Sequence, residues 1–192
     1  MPTPRTGRLI AVVGPSGVGK DSVMQALATA TDFRIGRRVI TRPSEAGGER
    51  FESCDDTAFE KDLLAGRFAL HWQAHGLRYG VPKAELARLK QGRTVLVNLS
   101  RTVLAEAQAK FPQSVISLTA SPEVLAKRLA ARGRESEDGI ARRLARRVAL
   151  PVGVNAIEVT NDGPLVDTVH TILSALADQT APDAPSAMRE IS

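Results

Sequence analysis

The stretch GPSGVGKDS carries the densest chemistry in the sequence: Gly14, Pro15, Ser16, Gly17, Val18, Gly19, Lys20, Asp21 and Ser22. Its part from Gly14 to Lys20 fits G-x-x-x-x-G-K, a spacing that lets successive backbone N–H groups surround phosphate oxygens. Glycines at 14, 17 and 19 allow a tight turn and a close approach of the backbone to an anion. Lys20 adds a mobile cation that follows the terminal phosphates of a nucleotide as charge develops, which makes it the first catalytic candidate. The whole stretch is expected to bind a nucleotide. Asp21 stands where such loops normally place a hydroxyl that ligates Mg²⁺. A carboxylate is also a hard oxygen donor, so Asp21 is the expected metal ligand, directly or through a water, with the Ser22 hydroxyl beside it. In the first turn of a helix it would also complement the helix dipole.

Such a loop works only between a strand and a helix, and the flanking pattern supplies both. Leu9–Val13, LIAVV, is a short continuous apolar run that reads as a strand buried on both faces, and KDSVMQALATA reads as the helix that follows. Further strands are expected at 37–41, 94–99, 114–119 and 155–160. Helices are expected at 57–65, 83–90, 102–110, 122–131, 139–149 and 165–177. Ser121 is placed to cap the helix that opens at Pro122. The alternation predicts an α/β fold, a parallel sheet covered on both faces. Residues 41–82 break the rhythm with scattered glycines and aromatics and read as an inserted substrate-binding region. The polar, proline-bearing stretch 179–192 reads as a disordered tail, leaving 8–178 as one domain.

Composition bounds the function. The 192 residues include 43% hydrophobic ones, enough for one well-filled core. One cysteine, Cys54, excludes an intrachain disulfide, and no Cys and His spacing suits zinc. The early residues lack the apolar segment of a signal peptide, and no run is long enough to span a bilayer, so a cytoplasmic protein is expected. The net charge of +5 favours anionic partners. Between Lys127 and Arg147 eight basic residues face three acidic ones, without the interleaved aromatics of a surface that stacks single-stranded bases.

Taken in order, GPSGVGKDS, TRP followed by GGE (Thr41–Pro43, Gly47–Glu49), HG with YG and Pro82 (His75, Gly76, Tyr79, Gly80), NLSR (Asn98–Arg101) and RLAARGR (Arg128–Arg134) resemble the guanylate-kinase-like family. Within it they look most like the ribose 1,5-bisphosphate phosphokinase branch, over about residues 8–177. The resemblance implies a three-layer P-loop fold with five parallel core strands, a substrate-binding region at 41–82 and a lid around 133–139. It implies ATP and Mg²⁺ as cofactors and a small phosphorylated sugar as substrate, handled by a monomer or homodimer without nucleic acid or membrane. Tyr79 and Arg42 match acceptor-phosphate positions, while Arg37, Arg38 and Arg50 are further candidates to hold the substrate. Arg128 matches an ATP-gripping position; Arg132, Arg142 and Arg146 match arginines that close on the transferring group. Glu49 is a candidate for a sugar hydroxyl or for holding the GGE turn, and Asn161 for the border of the adenine site. Trp72 is a candidate to cover the ribose, though a large aromatic among apolar neighbours is more often core, and His71 and His75 are expected as substrate-region scaffold or hydrogen-bonding residues rather than proton shuttles.

Three departures from the family pattern are informative, and the first points away from a guanine substrate. The glutamate that reads the guanine edge in guanylate kinases falls on Leu70, which has no acceptor for the base's N–H donors. The second arginine of their phosphate clamp falls on Glu45, and a strand-end aspartate falls on Asn98. Loss of that aspartate and gain of Asp21 suggest a carboxylate moved from strand end to loop. The alternatives are a guanylate or other nucleoside-monophosphate kinase, a non-catalytic interaction module of the same fold, and a nucleic-acid binder using the basic stretch.

Overall fold

The computed structural model describes residues 7–43, 50–131 and 149–179. Its main sheet has five strands, all parallel: β1 (Leu9–Val13), β2 (Arg34–Ile35), β7 (Val95–Asn98), β8 (Gln113–Thr119) and β9 (Ile157–Thr160), in the order β2-β7-β1-β8-β9. Every residue of β1 is buried, as its unbroken apolar run requires of a central strand. Leu9 lies opposite both Val95 and Gln113, so β1 is paired along both edges and holds the centre of the sheet. In sheets of this kind ligands bind beyond the carboxyl ends of the strands, where the chain after β1 continues into the glycine-rich loop.

Alternation along the strands sends side chains to two cores. On one face Ile10, Val12, Leu96, Ile116 and Leu118 pack with Val23, Met24 and Leu27 of α1 (Lys20–Ala30) and with Val169, Ile172 and Leu176 of α6 (Leu165–Asp178). On the other, Ala11, Val13, Val97 and Val115 meet Leu104 and Ala107 of α4 (Leu104–Lys110). α1 ends at Thr31, whose hydroxyl turns back to the Leu27 carbonyl at 2.7 Å. α5 (Pro122–Ala131) begins as expected, with Ser121 Oγ accepting from Val124 N.

The inserted region is more ordered than its glycines suggest. It forms a second sheet, β4-β3-β6-β5, from β3 (Val39–Ile40), β4 (Glu52–Ser53), β5 (Phe68–Ala74) and β6 (Leu77–Pro82), flanked by α2 (Asp56–Leu64) and α3 (Lys83–Leu86). β5 and β6 are a hairpin turned by His75 and Gly76, both with positive φ (54° and 73°), the geometry that suits a two-residue turn to the twist of its strands. The strand expected at 37–41 is therefore not a core strand. Its apolar pair Val39 and Ile40 joins the second sheet, and Arg34–Ile35, exposed and only two residues long, takes the edge of the first. Leu70, Trp72 and Val81 enter the same core as Ala11, Val13 and Val97, so the two sheets share one packed interior.

The helix expected at 139–149 lies outside the described residues save Ala149, as do the lid at 133–139 and all but Gln179 of the expected tail.

Candidate active site

The loop leaves β1 at its carboxyl end and turns on three glycines with positive φ: 153° at Gly14, 85° at Gly17 and 94° at Gly19. Gly19 is the N-cap of α1 in a left-handed conformation that a side chain rarely adopts. A Cβ there would also stand 2.7 Å from Asn161 Nδ2, and one at Gly14 would stand 2.6 Å from the Leu118 carbonyl. The sequence thus uses glycine where both backbone angle and space demand it.

Lys20 Nζ donates to the carbonyls of Gly14 and Pro15, each at 2.9 Å. The ammonium arches over the turn and is held at its mouth. Asp21 and Ser22 are exposed in the first turn of α1. Among the described residues no group of three His, Cys, Asp or Glu converges on a point. Asp21 and Ser22 place a carboxylate and a hydroxyl, both hard oxygen donors of the kind Mg²⁺ takes, at the end of the loop.

Asn161, a candidate for the border of the adenine site, is buried against the loop and braces it. It is only 4% exposed; its Nδ2 donates to the Val18 carbonyl at 2.8 Å, and its Oδ1 accepts from Thr168 Oγ1 at 2.8 Å. Arg128 reaches the same Val18 carbonyl from α5, at 3.4 Å. Asp162 Oδ1 accepts from Ser121 N and so ties the turn after β9 to the start of α5. The contact between Asn161 and Val18 spans 143 residues of sequence, and no local signal announces it.

In the second sheet the expected substrate arginines separate. Arg37 is exposed, whereas Arg38 is buried with its guanidinium over Tyr79 (5.1 Å) and Trp72 (5.7 Å), which stack on each other at 5.2 Å. Arg42 covers the Phe51 ring at 4.3 Å, and Arg50 is exposed. Trp72 is a core residue as expected; Leu70 is fully buried beside it. His71 and His75 are exposed on the hairpin. Glu45, Glu49, Arg132, Arg142 and Arg146 lie outside the described residues. Asn98 ends β7, and Leu99 N beyond it donates to the Val12 carbonyl at 3.1 Å. Two residues on, Arg101 is half-buried with its Nε sealed from solvent and without a hydrogen bond; burial holds its pKa below the ordinary guanidinium value, and the Glu158 charge offsets this only in part. The sequence reading includes Arg101 in NLSR but gives it no role.

A glycine-rich phosphate loop with its lysine, set at the carboxyl end of the central strand of a parallel sheet and backed by a helix, defines a P-loop phosphotransferase. A family model described as an AAA domain matches residues 10–149. A guanylate kinase from Anaplasma phagocytophilum superposes with a TM-score of 0.71 over 93% of this chain and 89% of that one, at 17% identity, a likeness of fold. The protein named ribose 1,5-bisphosphate phosphokinase PhnN in a Ruegeria species is 55% identical over 85% of this chain and 88% of its own. The protein of the same name in Brucella melitensis is 46% identical over 91% and 93%. The chain belongs to the ribose 1,5-bisphosphate phosphokinase family.

Proposed function

We propose that the protein transfers the γ-phosphoryl group of ATP to the 1-phosphate of ribose 1,5-bisphosphate, giving 5-phosphoribosyl 1-diphosphate and ADP. The observation that carries this reading is the 55% identity to a named phosphokinase across nearly the whole chain. The buried Leu70 supports it, because the position expected to read a guanine edge is part of the hydrophobic core.

The reaction forms a P–O bond from an acceptor phosphate oxygen to the γ-phosphorus and breaks the bond from that phosphorus to the β,γ-bridging oxygen, whose electron pair leaves with ADP. The attacking oxygen is already anionic, so no general base is needed. The protein's task is to align two anions and neutralise them. Loop amides from Gly14 to Lys20 would cradle the nucleotide phosphates, and Lys20 would exchange its carbonyl partners for phosphate oxygens. Asp21 and Ser22 would hold Mg²⁺, directly or through water, and the ion would supply neutralisation of phosphate charge. Arg42 and Tyr79 would hold the acceptor, while Arg132, Arg142 and Arg146 would grip the transferring group as the lid at 133–139 closes. The kinase domain is assigned to 8–178, since the sheet opens at Leu9 and α6 ends at Asp178.

The test offers purified protein ATP and Mg²⁺ with ribose 1,5-bisphosphate, ribose 5-phosphate and GMP in parallel. Phosphoribosyl diphosphate formed from the first alone is the expected result. Rapid conversion of GMP to GDP would replace this reading with a nucleoside-monophosphate kinase.

A further inference from the structure

Arg101 is a half-buried cation for which the described residues supply no paired anion. Its Nε is solvent-sealed and unbonded, and among the described residues its side chain makes no hydrogen bond or ion pair. Guanidinium groups buried for structural reasons are normally matched by a carboxylate or by carbonyls. The nearest influence here is the field of Glu158, too weak to offset burial.

Its place in the fold says what would match it. The bond from Leu99 N to the Val12 carbonyl sets this turn against the end of β1, just before the phosphate loop. The turn Arg101–Val103 packs against β5 of the second sheet, and Leu99 and Val103 share a core with Leu70, Trp72 and Val81. Glu158 lies opposite Ser117 in register, and Ser117 points to the same face as Val115, which belongs to that core. α1 covers the opposite face. The turn that carries Arg101 therefore lies on the side of the sheet that carries the inserted region, away from the helix that follows the nucleotide loop.

We propose that Arg101 binds the phosphate of the sugar bisphosphate that does not react. The inference rests on the ribose 1,5-bisphosphate reading. A pentose carries its two phosphates at opposite ends; when one approaches Lys20, the other extends toward the second sheet. A dianion there needs a cation with parallel donors, and a guanidinium supplies them in a fixed fork. No such need exists for a nucleoside monophosphate, whose only phosphate is the reacting one.

The test uses ribose 5-phosphate as a non-reacting probe, titrated into the full chain calorimetrically, alongside steady-state kinetics with ribose 1,5-bisphosphate. In R101Q the Kd for ribose 5-phosphate should weaken about tenfold to hundredfold, the worth of charge-assisted hydrogen bonds. KM for the bisphosphate should rise in parallel, with kcat and ADP affinity little changed, and R101K should recover part of the loss. Unchanged affinity in R101Q would overturn the proposal. So would a fall in kcat at constant KM, which would put Arg101 on the reacting group, or a joint loss of ADP binding and melting temperature, which would make it structural. Should R101Q fail to fold, R101K carries the test, with a weaker ribose 5-phosphate Kd at unchanged ADP affinity expected. Wild-type turnover of GMP but not of the bisphosphate would overturn the parent reading and this proposal with it, whereas unchanged ribose 5-phosphate affinity in R101Q beside normal turnover of the bisphosphate would overturn the proposal alone.

Discussion

One carboxamide, that of Asn161, joins the phosphate loop to the last strand and last helix of the sheet. Asn161→Ala would leave the Thr168 hydroxyl without its acceptor and the Val18 carbonyl dependent on the longer bond from Arg128. Stranding buried polar groups costs about 1–3 kcal/mol. Chemical denaturation should show a loss of that order, and KM for ATP should rise because the cradle loses its brace. Asn161→Asp should do worse, since it replaces the donor with an oxygen facing a carbonyl oxygen. Gly19→Ala meets both a φ of 94° and the Asn161 amide at 2.7 Å, so it should abolish nucleotide binding measured by calorimetry. Cys54 gives a pH-dependent check. Burial, then the carboxylates of Asp55, Asp62, Glu52 and Asp56, raise its pKa. The folded protein therefore keeps the thiol proton at mildly alkaline pH, where an unfolded chain begins to lose it. Iodoacetamide should modify native protein more slowly than denatured protein, and a faster native rate would contradict the geometry.

At the level of elements, the hairpin of β5 and β6 carries the aromatic pair on which Arg38 rests. Trp72→Ala would remove the ring from the seam between the sheets, at a cost of about 3–5 kcal/mol for a buried aromatic truncation. Urea unfolding should register it, together with a rise in KM for the sugar as Arg38 and Tyr79 lose their support. This is also where sequence reading reached its limit. β1, α1, α5 and α6 are legible because their signals are local: an apolar run, a glycine start, a Ser-Pro cap, a 3.6-residue period. β2 and β4 hold two exposed residues each and exist only through pairing with distant strands. The hairpin did leave a trace. Phe68, Leu70 and Trp72 are buried in alternation with more open Ala69, His71 and Gln73, and His75-Gly76 is a two-residue turn. Reading 41–82 as an irregular insertion passes over that period of two. The loop itself is readable because all its parts are contiguous. Its support from Asn161 and the placement of Arg101 depend on contacts between segments far apart in sequence.

For the whole molecule, the shared interior of the two sheets implies that they melt together. The sequence has one tryptophan, and it sits in that interior. Tryptophan fluorescence and far-ultraviolet circular dichroism should therefore trace superimposable urea curves. A fluorescence transition ahead of the dichroism would mean that the inserted sheet opens independently. No helix among the described residues is long and apolar enough to cross a membrane.

The tie between Val18 and Asn161 also constrains when the protein becomes competent. Ribosomes make the glycine turn first, yet the amide that steadies it follows Val18 by 143 residues, and the hydroxyl that steadies the amide, at Thr168, comes later still. A nascent chain halted before that point carries every residue of the phosphate cradle and lacks its fastener, so nucleotide capture is a late event of synthesis.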